Sequence, residues 1–259
     1  MMRFNAALAR RVALILGLSF PTFCNALADG RAVLPPRWMV EAYLSDVLVK
    51  PSREDIARAI IPGLGMALGF SGPSFPIVET FVTPGTSTIG LFSGASTVTV
   101  EGIGAGDGKD GSFGRGGGGY SRRNSYSLSG LSALYLIVPA GNANAGTAAS
   151  AIVRANNSGG TLIMEAKPGN GYSANTNSST GTGDVRYNGG AVGSFSNAGG
   201  GAAGPSGAGG ASSGTTPGTS GGSPAGAGGA SGQAGQSYGG GGGNNAGGAQ
   251  GWIRLSWNN

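Results

Sequence analysis

Residues 199–248 read GGGAAGPSGAGGASSGTTPGTSGGSPAGAGGASGQAGQSYGGGGGNNAGG, and any fold of this chain has to accommodate them. Almost half of its residues are glycine, and it contains no Leu, Ile, Val, Phe or charged residue. A segment with so few apolar side chains buries too little surface to offset the backbone entropy lost on ordering, so its composition alone is typical of disorder. Two other features favour an ordered layer.

The first feature is a glycine period of three residues. Three residues per turn is the repeat of the polyproline II helix, and a glycine at one position lets a neighbouring backbone come close enough to form hydrogen bonds. The period predicts polyglycine, polyproline II-like segments packed side by side. It is carried by two runs of glycines, Gly201, Gly204, Gly207 and Gly210, and then Gly226, Gly229, Gly232 and Gly235.

The second feature is the apolar segment that follows the glycine tract. Residues 252–257 read WIRLSW, which is typical of a short β-strand. A flexible tail rarely ends in such a strand. We therefore expect residues 199–259 to form an ordered glycine-rich layer that a strand at residues 252–257 closes.

The composition excludes several classes of protein. The chain has 259 residues with 55 glycines, but it is not a collagen, because its 13 prolines are too few and its Gly-X-Y period is interrupted. The net charge of +5 is scattered along the chain, so we expect no nucleic-acid partner. The single cysteine, Cys24, excludes an intramolecular disulfide framework, and the absence of histidine removes the commonest general base and metal ligand.

The sequence motifs that could indicate a cofactor or metal site are weak evidence for either. Residues 106–111 match G-x-G-x-x-G, but the sequence SFGRGGGG that follows cannot form the helix that a dinucleotide site requires. Asp107 and Asp110 could hold a hard cation, although a solvated turn is the simpler interpretation. We therefore predict no catalytic residue, no metal site and no cofactor, and we expect that the protein is not an enzyme.

Residues 81–198 are predicted to be rich in β-structure. Short β-branched runs bounded by Gly, Pro, Asn or Ser indicate several strands of a sheet or sandwich. Long glycine-rich loops lie between them, notably residues 102–119 and 167–183. The predicted strands are residues 77–82, 97–101, 134–138, 151–155 and 161–166.

Three segments precede this region. Residues 1–30 have the basic start, apolar run and Ala-Leu-Ala site of an export signal, and two fates fit them: cleavage after Ala28, or retention in an assembly. Residues 31–62 carry apolar residues at helical spacing, which predicts either a small α-helical attachment or oligomerisation region or a plain two-helix packing unit. Residues 63–80 are predicted to be a neck or linker.

The β-rich and glycine-rich regions together resemble a known architecture. Residues 96–130 read STVTVEGIGAGDGKDGSFGRGGGGYSRRNSYSLSG, followed by LIVPAG at residues 136–141 and GGAQGWIRLSW at residues 247–257. Across about residues 81–257 this pattern resembles the glycine-rich domain of many bacteriophage tail fibre and receptor-binding (adhesin) proteins. The resemblance covers composition and architecture, and nothing in residues 1–70 matches it.

The resemblance implies a non-enzymatic structural protein of the phage virion, with packed glycine-rich helices and loops that touch the host surface. Its partners would be other tail proteins, reached through residues 1–70, and a host surface glycan or protein. We expect a homo-oligomer or a part of a larger assembly. The alternatives are an exported structural protein of the bacterial envelope, in the periplasm or at the cell surface, and an ice- or surface-binding glycine-helix protein.

Recognition should use aromatic and amide side chains in the loops, because aromatic faces stack on sugar rings and amides bond to hydroxyl groups. The aromatic candidates are Tyr120, Tyr126, Tyr172, Tyr187, Phe195 and Tyr238. The alternative is that these rings pack on bare glycine backbone, an interpretation that we favour for Tyr238. The residues predicted to contact the receptor are Tyr172, Asn175, Asn177, Tyr187 and Asn188.

Overall fold

A computed structural model describes residues 75–108, 112–142, 148–173, 175 and 177–259. They all belong to one compact unit, Phe75–Asn259. The export signal predicted at residues 1–30, the helical region predicted at residues 31–62 and the first part of the predicted linker lie outside the described residues.

The described residues form two antiparallel sheets, so the protein is mainly β. The strand order is β1-β9-β3-β4-β8 in the first sheet and β2-β5-β6-β7 in the second. One short helix lies in the loop between β7 and β8. The elements are β1 (Ile77–Phe81), β2 (Gly85–Gly90), β3 (Thr97–Ile103), β4 (Tyr120–Ser127), β5 (Ala133–Val138), β6 (Ala151–Ala155), β7 (Leu162–Ala166), α1 (Asn177–Thr180), β8 (Val185–Tyr187) and β9 (Trp252–Asn258).

The two sheets share a hydrophobic core. Period-two alternation places Leu134, Leu136 and Val138 of β5 on the buried face, as expected for a strand with one face in the interior. Both sheets contribute to the same cluster of buried side chains, which includes Val98, Val100, Leu134, Leu136, Val153, Ile163, Met164, Ile253, Leu255 and Trp257.

The C-terminal strand lies inside the first sheet rather than at the end of a separate layer. β9 pairs with β1 on one side, where Trp257 is opposite Ile77, and with β3 on the other, where Trp257 is opposite Val98. The strand predicted at residues 77–82 is confirmed as β1, and the predicted linker, which overlapped it at residues 77–80, does not extend into that strand. The segments divided at residue 198 in the sequence analysis belong to one unit because the sheet cannot be completed without its last strand.

Three strands lack a clear signal in the sequence. β4 reads YSRRNSYS, which has no apolar alternation, and β2 reads GTSTIG and is almost fully exposed. β8 contains only Val185, Arg186 and Tyr187. These strands are placed mainly by backbone pairing with β3, β4 and β5, because each of them adds only one or two side chains to a buried hydrophobic cluster.

The glycine-rich segments are joined by backbone hydrogen bonds that change partner with a period of three residues. Successive N–H groups of residues 199–204 donate to three neighbouring segments in turn, at N···O distances of 2.8–3.0 Å. The donor and acceptor pairs are Gly199 to Gly229, Gly200 to Arg115, Gly201 to Gly210, Ala202 to Gly226, Ala203 to Gly118 and Gly204 to Gly207. These bonds therefore connect the glycine tract to Arg115 and Gly118, which lie in the loop that follows β3.

Several of these contacts require glycine because of the close approach of backbones. A Cβ atom built on Gly117 would overlap the carbonyl oxygen of Gly201, and one built on Gly241 would overlap the carbonyl oxygen of Arg115. The absence of a side chain thus lets one main chain lie directly against the next.

A second buried cluster lies where the layer meets the first sheet. It contains Ile103, Tyr120, Ala202, Ala203, Ala225 and Trp252. The Tyr120 hydroxyl donates a hydrogen bond of 2.5 Å to Glu101 Oε1, and Arg254 Nε donates one of 2.8 Å to Glu101 Oε2. Burial, followed by the hydrogen bond to Glu101 and the negative charge of Glu101, raises the pKa of Tyr120 above its usual range.

This pKa predicts a loss of stability at alkaline pH. A raised pKa in the folded state means that the stability contribution of Tyr120 is complete below the unfolded-state pKa of about 10 and is lost as pH rises above it. In Tyr120→Phe the slope of unfolding free energy against pH above that value should be shallower by about 1.4 kcal/mol per pH unit, the effect of one proton. Urea denaturation of both proteins across this range measures the slope. Equal slopes in the wild-type protein and in Tyr120→Phe would contradict a raised pKa of Tyr120 in the folded state.

Candidate functional site

Three aromatic side chains, Phe113, Tyr172 and Phe195, form an exposed group that we call the aromatic cluster. The ring of Phe113 lies edge to face with the rings of Tyr172 and Phe195, at centroid distances of 5.8 and 6.0 Å. Phe195 is 83% exposed and Tyr172 is 44% exposed, which is unusual for large apolar side chains. With Val192, Gly193 and Ser194 they line a cavity of about 290 Å³, called the aromatic pocket below.

The aromatic cluster is assembled from three loops that leave the sheets after β3, β7 and β8. The loops are joined by backbone hydrogen bonds: Gly114 N–H donates to the Ser196 carbonyl at 2.9 Å, and Val192 N–H donates to the Tyr172 carbonyl at 2.8 Å. Each ring is therefore held by the glycine-rich backbone adjoining it, and the cluster needs all three loops.

The backbone at Phe195 adopts a conformation that bulky residues rarely occupy. Its φ is +61°, in the left-handed region, where an L-residue pays about 1–2 kcal/mol. The next residue, Ser196, is fully buried, and its hydroxyl group lies within hydrogen-bond distance of the Ala198 carbonyl, the Ser212 hydroxyl and the Gly214 carbonyl. This buried anchor holds Phe195 outward, and strained exposed residues of this kind are concentrated at functional sites.

Tyr172 rests on a buried pair of charges. The Arg115 guanidinium lies 4.5 Å from the centre of the Tyr172 ring, and Arg115 Nη1 lies 4.0 Å from Asp107 Oδ2. The Asp107 carboxylate also accepts hydrogen bonds from Asn142 Nδ2 at 3.0 Å and from Gly171 N–H at 2.9 Å. Asp107 therefore ties three loops together beneath the cluster.

This position of Asp107 differs from both interpretations of the sequence. Asp107 is completely buried and hydrogen-bonded within the protein, so it lies in neither a solvated turn nor an open cation site. Asp110 lies outside the described residues. Within residues 75–108, 112–142, 148–173, 175 and 177–259, no three His, Cys, Asp or Glu side chains are grouped as metal ligands.

A second cavity, of about 460 Å³, lies along the loop that carries Tyr172, and we call it the polar pocket. Its lining includes the polar residues Lys167, Asn170 and Thr180, and also Asn175, whose amide is engaged within the protein. The Lys167 ammonium lies 2.8 Å from Glu165 Oε1, which also accepts a hydrogen bond from the Ser150 hydroxyl at 2.9 Å. Along the loop, Gly171 lines the polar pocket and the adjacent Tyr172 lines the aromatic pocket.

Two of the predicted contact residues are interior residues. Asn175 is 2% exposed, and its side chain donates to the Gly117 carbonyl at 3.1 Å and accepts from Gly189 N–H at 3.0 Å. Asn177 is 0% exposed, and its Oδ1 accepts from Lys167 N–H at 2.7 Å. Both amides satisfy buried backbone groups and hold loops together, so we remove them from the contact surface.

The other residues predicted to contact the receptor, and the other aromatic candidates, lie in different parts of the fold. Tyr187 is half-buried and stacks on Tyr120 at a centroid distance of 6.2 Å, and Asn188 accepts a hydrogen bond from the first turn of α1. Tyr120 and Tyr126 lie in β4 and not in a loop, and Tyr238 packs against the second buried cluster. Of the five predicted contacts, only Tyr172 lies in the aromatic cluster.

Sequence reasoning missed Phe113, Lys167 and Asn170. Phe113 is an isolated large apolar residue in a glycine-rich loop, a signal that could have identified it. The other two are ordinary polar residues that only the fold brings to the polar pocket.

No protein-family model matches this chain, and no curated protein sequence is significantly similar to it. In the part of the chain that the structure describes, no helix has the length and apolar character needed to cross a bilayer. The described part is thus a two-sheet β-protein whose loops present an exposed aromatic cluster beside a polar pocket.

Proposed function

We propose that this protein is a non-enzymatic receptor-binding component of a bacteriophage tail fibre, which contacts the host surface through the aromatic cluster. The observation that carries the proposal is Phe195, an 83% exposed aromatic residue held outward by a left-handed backbone and a buried serine. Exposed aromatic residues on a preorganised backbone are typical anchors of binding sites. The resemblance of residues 81–257 to glycine-rich tail adhesin domains supplies the virion context.

The scaffold supports the same proposal. We propose that the glycine-rich segments are polyglycine, polyproline II-like helices packed side by side, supported by the three-residue alternation of hydrogen-bond partners at residues 199–204. Such a layer satisfies its backbone groups internally without needing apolar side chains. The loop ends that it holds are therefore rigid, although their own sequences carry almost no core residues.

Attachment to the virion is assigned to residues 1–70, which would join other tail proteins or a second copy of the chain.

The rival proposal, an exported structural protein of the bacterial envelope, differs from this one in a measurable respect. N-terminal sequencing of native material should find a mature chain that starts at Asp29 if the envelope assignment holds, and binding to foreign cells is then not expected.

The proposal predicts that Phe195→Ser weakens cell binding while the fold is kept. An anchor residue contributes about 2 kcal/mol or more, so the affinity of the labelled full-length protein for bacterial cells should fall roughly 30-fold. The measurement is flow cytometry over a panel of bacterial strains, with melting curves for each variant.

Val78→Ser is the matched control for this experiment. Val78 is also a large exposed apolar residue, at 53% exposure, but it lies on β1 and outside the aromatic cluster. The control should bind like the wild-type protein. Equal binding by Phe195→Ser and Val78→Ser, or no binding of the wild-type protein to any strain, would refute the proposed site.

A further inference from the structure

We infer that the aromatic pocket and the polar pocket are neighbouring subsites for a neutral glycan, so that the cell-surface ligand is a polyhydroxyl chain. The inference rests on the proposed function and adds the chemical class of the ligand and a second group of contact residues. Neither pocket alone points to a chain of sugars, because one offers ring faces and the other offers polar groups.

The aromatic pocket fits the apolar face of a sugar ring. Phe113 stands at 77° to Tyr172 and at 70° to Phe195, so the cluster presents a corner made of ring faces and ring edges. Tyr172 and Ser194, whose side chains carry hydroxyl groups, belong to the described lining. Aromatic faces that pack on C–H groups, together with hydroxyl groups at the margin, suit a pyranose, which has one apolar face and a polar rim.

The polar pocket offers both donors and acceptors. An ammonium group has three donors, of which Lys167 directs one toward Glu165, and the exposed Asn170 has an amide that can donate and accept. Hydroxyl groups of a sugar do both as well. A purely apolar ligand, such as an acyl chain or an aliphatic side chain, would bury these groups without partners and is disfavoured.

Charge selects a neutral ligand over an acidic one. The described lining of the aromatic pocket contains no Asp, Glu, Lys or Arg, and in the described lining of the polar pocket the single charged side chain, Lys167, is paired with Glu165. No uncompensated positive charge therefore remains in these linings to favour a carboxylate or a phosphate.

Size and position favour consecutive units of one ligand. The volumes of about 290 and 460 Å³ lie near the lower end of the range for small-molecule sites, about 300–1,000 Å³, so each pocket suits a small unit. Gly171 in the lining of the polar pocket and Tyr172 in the lining of the aromatic pocket are consecutive residues, so both pockets lie on the same loop, and we place successive units of one ligand in them. The loop of residues 167–173 thus lies at the centre of the contact.

The test uses the labelled full-length protein on an array of immobilised neutral and acidic glycans, with monosaccharides included. Binding is expected on neutral glycans and not on acidic ones. Tyr172→Ala should reduce it on the order of tenfold for every bound glycan, while Asn170→Ala should do so only for glycans of two or more sugars. Asn259→Ala, at the exposed C-terminus, is the control and should bind like the wild-type protein.

A second arm separates this inference from the proposed function. Periodate, which cleaves vicinal diols of sugars, should abolish binding of the protein to whole cells, and protease treatment of the cells should not. Protease-sensitive, periodate-resistant binding that depends on Phe195 would overturn the glycan inference and leave the receptor-binding function standing. Absence of binding to every strain and every glycan would overturn both, and binding confined to acidic glycans would overturn the ligand class.

Discussion

Trp257→Ala should unfold the protein under mild conditions. Trp257 is fully buried in the core between the two sheets, on the strand that joins β1 to β3. Removal of a buried tryptophan side chain costs about 3–5 kcal/mol, which is a large share of the 5–15 kcal/mol by which a domain is stable. Urea denaturation followed by circular dichroism measures the loss.

A hydrogen bond adds to this effect. Trp257 Nε1 donates to Glu79 Oε2 at 2.7 Å, across the pairing of β9 with β1, so the alanine variant also removes a partner from a carboxylate on the neighbouring strand. Trp257→Phe keeps most of the ring volume and loses this bond, and it should lose about 1–3 kcal/mol. Val78→Ala, on the exposed side of β1, should change the stability by no more than about 0.5 kcal/mol. A Trp257→Ala protein as stable as this control would show that β9 is not central to the fold.

The apolar strands could be predicted from the sequence because their side chains decide their position. β5 and β9 alternate buried and less buried residues, so the period-two pattern of apolar residues in the sequence matches the pattern of burial in the structure. β4 gives no such signal, because its outward side chains are polar and its place depends on backbone pairing with β3 and β8. The sequence also could not show that β9 completes the first sheet, because strand order depends on contacts between residues far apart in the chain.

The site was less predictable than the fold. Tyr172 is an expected contact because aromatic faces stack on sugar rings, but the companion expectation, that loop amides bond to sugar hydroxyl groups, selects Asn175 and Asn177, which are buried. Amides in loops serve two purposes, and the buried Asn175 and Asn177 bond to backbone groups of neighbouring segments, the Gly117 carbonyl and the Lys167 N–H. Which amide faces inward depends on the path of the neighbouring backbone. The sequence of the loop alone does not contain that path.

The burial of Asp107 could not be predicted from the local sequence either. A carboxylate in a glycine-rich loop is normally solvated, yet Asp107 is buried beneath the aromatic cluster and holds the loops that carry it. Burial of a carboxylate is tolerated only when hydrogen bonds and a cation compensate it, and here Asn142, Gly171 and Arg115 do so. Because these partners come from three separate loops, no local pattern could have predicted the arrangement.

Gly117→Ala should be among the most destabilising single-methyl additions in the chain. Gly117 is buried in the middle of the layer, and a Cβ atom there would overlap the carbonyl oxygen of Gly201. The opposing backbone cannot easily move away, because Gly201 N–H is bonded to the Gly210 carbonyl and the Gly117 carbonyl accepts from Asn175. We expect a loss of about 3 kcal/mol, the upper end for overpacking, and a fall in Tm of roughly 6–12 °C.

The control for this substitution is Gly90→Ala. Gly90 lies on the exposed strand β2, where an added Cβ meets no atom within 4 Å, so alanine should leave the stability unchanged or raise it by up to about 1 kcal/mol through the lower entropy of the unfolded chain. Amide hydrogen exchange should accelerate across residues 199–204 in Gly117→Ala and remain slow in Gly90→Ala, because the added methyl group separates the segments that share those hydrogen bonds. If the two variants melt alike and exchange alike, the glycine-rich layer is not held by contact between main chains. Phe195 would then have no rigid support, and the binding-site proposal would lose its physical basis.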